Sequence, residues 1–322
     1  MSQDSIYYAA GRLSVLQKNI LDQSKLERVL QADTPENAAN VLGELGWNCD
    51  GDWERFAFDH FNEAARLVRR LIPEPRLADA CLIRYDINNL KILYKARCLN
   101  VPYGELSSCG VTDRAKLIRA VYEKKYTDLP ETLVKAMERI EKRLMLRDDP
   151  LYIDCELDKA MYQRIFEILE KKDTAARKYF TAKADIVNYI MVLRGLHMNI
   201  SLSMIRDMLI PCGKVTADTW IRTAEKPEKL CLLLHDYGTE LYRAAVQAGT
   251  DHHLLAGLEK KADDYLLSVY HPYKNSMESP ERIIAYLLMR ERESSAVKLI
   301  MAGKKNGFSN EVIRERLREL YA

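Results

Sequence analysis

Glycine and proline are scarce in this sequence, 13 and 10 among 322 residues, too few for the many turns of an all-β fold. A dominant charge is missing too. Forty-nine basic residues stand against 47 acidic ones, so no overall field draws nucleic acid. The cluster Arg66, Arg69 and Arg70 falls on or near one helical face and reads as solvated surface. No apolar run approaches the ~20 residues needed to span a bilayer; the longest uncharged stretch lies near Ile186 to Leu193. The opening MSQDSIYYAAGRL lacks a positive start followed by an apolar run, so no secretory leader is expected. The seven cysteines, at 49, 81, 98, 109, 155, 212 and 231, form an odd count with no C-x-x-C pair. Cys81 and Cys98 sit in apolar helical segments, where a free thiol packs as a small hydrophobe, and a reducing cytoplasm is the expected setting.

Chemical motifs are absent as well. No H-E-x-x-H, G-x-S-x-G or G-x-G-x-x-G occurs. Gly213-Lys214 matches the end of a phosphate-binding loop only by accident. Met208 stands where the first glycine is required, and Val215 where Ser or Thr should hold magnesium. His252 and His253 are adjacent, so on a helix they point about 100° apart and cannot chelate as an i, i+4 pair. His197 and His235 stand alone. Asp154 and Asp158, one helical turn apart near an expected helix start, read as first-turn charges facing unpaired backbone N–H groups rather than as an acid–base pair. No cofactor, no metal and no catalysis are expected.

What the chain does have is charge at 30% and apolar residues at 48%, the composition of long amphipathic helices. Leu13, Leu16, Ile20, Leu26 and Leu30 recur at helical spacing, with a break near Asp22. Thr34-Pro35 reads as an N-cap followed by proline at the first helical position. The spacing predicts further helices over 52–72, 77–98, 112–124, 130–146, 156–171 and 173–197. Ser279-Pro280 opens another that runs to about Ala302 and is closed by Gly303 and Gly307. Ser309 caps a last one with Val312, Ile313, Leu317 and Leu320 on one stripe.

Three of these helices superpose without a gap when Asp86, Asp185 and Glu293 are matched. Asn89 and Leu90, Asn188 and Tyr189, Ala296 and Val297 follow three and four residues later, and Leu93, Val192 and Ile300 seven later. Those positions share a face, so each acid borders an apolar packing stripe. Val101-Pro102, Ile200-Ser201 and Phe308-Ser309 mark matched helix exits. The anchors lie 99 and 108 residues apart, a domain-sized period rather than that of a solenoid. Three similar helical units are therefore expected, at 1–108, 109–216 and 217–322.

The combined pattern resembles the C subunit of archaeal-type and bacterial V-type rotary ATPases, called the d subunit or AC39 in eukaryotes. Near the start, YYAAGRL (7–13) is similar to the family's opening, followed by Leu26, Leu30 and Glu44-Leu45-Gly46. ELDKAMYQRIFEIL (156–169) and KADIVNYIMVLRG (183–195) resemble the family's Asp-x-x-Asn … Leu-Arg helix. The stretch 285–321 resembles its closing Glu-x-Glu, Gly-Lys and final Tyr. The chain departs from the pattern where Ala296 and Lys298 replace the usual asparagine and arginine after Glu293.

The resemblance implies an all-α funnel of three domains in a pseudo-threefold arrangement, a non-catalytic central-stalk subunit present in one copy. It would sit in the cytoplasm, peripheral to the membrane, without spanning it. It would couple central-shaft subunits of the D and F type to the proteolipid ring that moves H⁺ or Na⁺, with no nucleic acid among its partners. Asp86, Asn89, Asp185, Asn188, Arg194, Glu293 and Lys304 are then expected either to contact a partner or to brace helices, with Asp185→Ala altering shaft binding at little cost in stability. Read from the residues alone, a helical adaptor for peptides or partner helices and a helical enzyme with a dispersed site stay open.

Overall fold

The computed structural model describes residues 3–47, 52–318 and 320, so Cys49 and the closing Tyr321 lie outside it. Fifteen α-helices account for most of the described residues, and no strand occurs among them. In chain order they are α1 Gln3–Gln17, α2 Gln23–Gln31, α3 Pro35–Glu44, α4 Trp53–Leu71, α5 Pro75–Leu99, α6 Arg114–Glu123, α7 Glu131–Leu144 and α8 Pro150–Ile168. There follow α9 Thr174–His197, α10 Leu202–Met208, α11 Ala217–Ala224, α12 Thr239–Thr250, α13 Leu255–Ser268, α14 Glu281–Lys305 and α15 Asn310–Arg316. A 3-10 helix, Pro227–Tyr237, links α11 to α12.

The chain divides into two compact units, one formed by Met1–Pro75 together with Ala256–Ala322, the other by Arg76–Leu255. In the first, α14 lies against α1, α2, α3 and α4. Residues 282–290 of α14 are all buried, which suits a helix apolar nearly all round. In the second, α5, α6, α7 and α8 enclose a core that includes Leu90, Leu93, Leu117, Met137, Ile140 and Leu157. The 3-10 helix packs with α9, α11 and α12.

Local chemistry explains the boundaries. Asp22 accepts from the Lys25 N–H, and Thr34 from the Asn37 N–H ahead of Pro35. Helix α8 begins earlier than the apolar spacing predicts, because Asp149 accepts from the Tyr152 N–H and Pro150 fills the first turn. That overturns the expected role of Asp154 and Asp158. They lie in the interior of α8 and pair with Lys95 (2.8 Å) and Lys91 (2.6 Å) of α5. Gly303 does not close α14 either. It lies inside the helix, which ends at Asn306 and Gly307.

The long helices α5, α9 and α14 leave by the same motif. Asn100, Asn199 and Gly307 take left-handed φ values of 52°, 55° and 71°. The next amide, of Val101, Ile200 or Phe308, then donates to the carbonyl five residues back, on Ala96, Gly195 or Gly303. This is the Schellman ending, and it falls at the same distance from each matched acid. No helix among the described residues is long and apolar enough to cross a membrane.

Candidate functional site

The matched acids are not surface residues: Asp86, Asp185 and Glu293 are 1%, 0% and 0% exposed. A buried carboxylate is tolerated only when its lone pairs are hydrogen-bonded or paired with a cation. Each acid accepts from at least one backbone amide of a segment outside its own helix.

Asp86 Oδ2 accepts from the amides of Val111 (3.2 Å) and Thr112 (3.0 Å). One turn on, Asn89 makes a reciprocal pair with Ser107: its Nδ2 donates to the Ser107 carbonyl at 2.9 Å and its Oδ1 accepts from the Ser107 N–H at 2.8 Å. Helix α9 repeats this arrangement. Asp185 accepts from the Lys214 N–H (2.8 Å) and the Val215 N–H (3.2 Å), and from the Tyr237 hydroxyl. Asn188 pairs with Ile210 in the same two-way fashion at 2.9 and 2.8 Å. An Asp-x-x-Asn on a helix thus fastens the loop that leads into the next helix, whose N-cap, Asp113 or Thr216, follows directly.

Both loops place a glycine just before the two donor amides. A Cβ on Gly110 or Gly213 would overlap the Asp86 or Asp185 carboxylate. The Gly213-Lys214 pair therefore has a structural reason: glycine lets the backbone approach its acid closely. The repeated Cys-Gly at 109–110 and 212–213 is the sequence signal that marks both loops.

Glu293 keeps the principle and changes the parts. Its Oε1 accepts from the Leu21 N–H at 2.7 Å, and its Oε2 from Arg290 Nη1 at 2.7 Å. Arg290 also donates to the Tyr286 hydroxyl. Ala296 stands where the other two helices have asparagine, so no second clasp forms there. Burial raises the carboxyl pKa of Glu293 above the ordinary range, opposed chiefly by Arg290 and the Leu21 amide. Burial likewise raises Asp185, opposed by Tyr237 and the Val215 and Lys214 amides.

The remaining predicted residues lie apart from the acids. Arg194 is exposed in the last turn of α9, where a positive charge suits the helix terminus. Lys304 Nζ donates to the Leu30 carbonyl (2.8 Å), to the Ala32 carbonyl and to Asn310 Oδ1 (3.2 Å), so it caps the end of α2. Sequence reasoning missed Arg290 and Tyr237, which donate to Glu293 and Asp185, and Arg97, which donates to the Val121 carbonyl as Lys304 does to that of Leu30.

These features define a helical scaffold whose internal carboxylates and asparagines bind its own backbone. The chain belongs to the ATP synthase (C/AC39) subunit family, whose sequence model matches residues 9–316. It is 24% identical over 317 residues to the C subunit of the V-type sodium ATPase of Enterococcus hirae, covering 94% of each chain. It is 28% identical over 347 residues to the C subunit of the A-type ATP synthase of Methanosarcina mazei, covering 96% of this chain and 92% of that one. The corresponding A-type ATP synthase protein of Methanosarcina barkeri is 28% identical over 266 residues, 75% of this chain and 69% of that one.

Proposed function

We propose that this protein is a non-catalytic central-stalk subunit of a rotary ATPase, joining the central shaft to the proteolipid ring that carries H⁺ or Na⁺. The observation that carries this reading is the family match from residue 9 to residue 316, with relatives named as C subunits of a sodium ATPase and of ATP synthases. The physical character of the chain supports it. A part that transmits torque must resist deformation, and α5, α9 and α14, of 25, 24 and 25 residues, are each fastened at a buried acid to a distant segment. The proposed assembly is one copy of three related units in a pseudo-threefold funnel, cytoplasmic and peripheral to the membrane.

The test is co-purification of the tagged full chain from detergent-solubilised membranes. Recovery of shaft and proteolipid subunits is expected. Their absence, with other proteins recovered instead, would sink the rotary reading and favour a general helical adaptor.

A further inference from the structure

The clasps on Asp86 and Asp185 close within 30 residues of the acid, whereas Glu293 takes its amide from Leu21, 272 positions away. That donor occupies the same structural position as the others. Thr112 precedes the N-cap Asp113, Val215 precedes the N-cap Thr216, and Leu21 precedes the N-cap Asp22.

The match continues beyond the clasp. Counted from the cap, buried residues fall at the fourth, seventh and eighth positions of α6 (Leu117, Ala120, Val121) and of α2 (Leu26, Val29, Leu30). A basic side chain eleven residues past the acid then reaches the carbonyl of that eighth residue. Arg97 donates to the Val121 carbonyl, and Lys304 to the Leu30 carbonyl. Such side-chain capping offsets the negative end of the helix in both places. At the other end of the repeat, α14 matches α9: Gly195 faces Ile205 of α10 and Gly303 faces Ile313 of α15, with Ser201 and Ser309 as the caps between.

We propose that the third repeat is a composite of both chain ends, in which residues 20–44 are the continuation that α14 and α15 lack. The protein is then a triple repeat whose third member joins two segments far apart in sequence. That member is then α14 and α15 with residues 20–44, in place of the expected 217–322. Its N-terminal part is a non-covalent strap. Glu293 and Lys304 hold the strap from α14, and Arg314 of α15 pairs with Glu27. Opening it would bare Val297, Ile300 and Met301 and leave the clasps on Asp86 and Asp185 intact.

Hydrogen exchange on the full chain, read by mass spectrometry, tests this with Lys304→Met and Glu293→Gln. Exchange in residues 20–44 should rise about tenfold or more while 111–123 and 214–224 keep the parent rate. An unchanged rate at 20–44, or an equal rise along the whole chain, would overturn the proposal. A permuted full chain, running 52–322, a flexible linker and then 1–51, gives a second reading. It should fold with the parent's helix content. Its failure to fold, when the parent carrying the same linker at its C-terminus folds, would also overturn the proposal.

Discussion

At the scale of single residues, the decisive property is burial combined with acceptor chemistry. Removing the buried Asp185 carboxylate leaves two amides and the Tyr237 hydroxyl without their acceptor. Each orphaned buried donor costs about 1–3 kcal/mol, so Asp185→Ala should lower the unfolding free energy in urea by roughly 3 kcal/mol or more. This reverses the sequence-based expectation of altered binding with little loss of stability, because a side chain with no exposed surface acts first on the fold.

His60 supplies a second prediction at this scale. Its ring lies 4.5 Å from Trp47 and 5.8 Å from Phe56. Burial, assisted by the nearby Arg290 charge, lowers its pKa from 6.5 to about 4. The unfolded chain therefore takes up this proton between pH 6.5 and 4 while the folded chain does not. Stability is unaffected by this group above that window. It falls as pH drops through it, by up to about 3 kcal/mol, and levels off below. Buried acids with raised pKa, such as Glu293, act in the opposite sense, so the difference between parent and His60→Phe isolates the histidine. Urea titrations at several pH values, followed by tryptophan emission, should show a shallower acid loss in the variant; parallel curves would contradict the assignment.

At the scale of elements, two helix–helix contacts depend on the absence of a side chain. A Cβ on Gly303 would come within 2.6 Å of Ile313, and one on Gly195 within 2.7 Å of Ile205. Alanine gains about 1 kcal/mol of helix propensity over glycine. Overpacking costs about 1–3 kcal/mol, so Gly303→Ala should be net destabilising. Ile313→Ala removes both atoms in the way, Cγ1 and Cδ1, so Gly303→Ala should cost less in that background than in the parent, a coupling that a double-mutant cycle measures.

Much of this level was legible in advance. Thr34-Pro35, the exits at Val101, Ile200 and Phe308, and the matched acids all rest on local signals that survive in a single sequence. What stayed hidden was non-local. No periodicity announces that an amide at residue 21 meets a carboxylate at 293, or that Lys91 and Lys95 reach across to Asp158 and Asp154. Helix α8 was misplaced for a simpler reason, the cap and proline at Asp149-Pro150 being outweighed by the apolar spacing that follows. Val312, placed on the buried stripe of the last helix by its spacing, is 38% exposed, and only Ile313 of α15 is buried.

At the scale of the whole molecule, the family places the chain among the C subunits of rotary ATPases, and the proposal is that it transmits rotation instead of performing chemistry. That role calls for stiffness, and α5, α9 and α14 are each tied at a buried acid to another segment of the chain. Purified protein should accordingly hydrolyse no ATP. The most direct measurement is ATP-driven ion uptake by vesicles holding the rotary complex with and without this protein. Uptake should be lost without it while ATP hydrolysis by the catalytic head continues, and adding the purified chain back should restore uptake. Uptake at the full rate in its absence would contradict the coupling role.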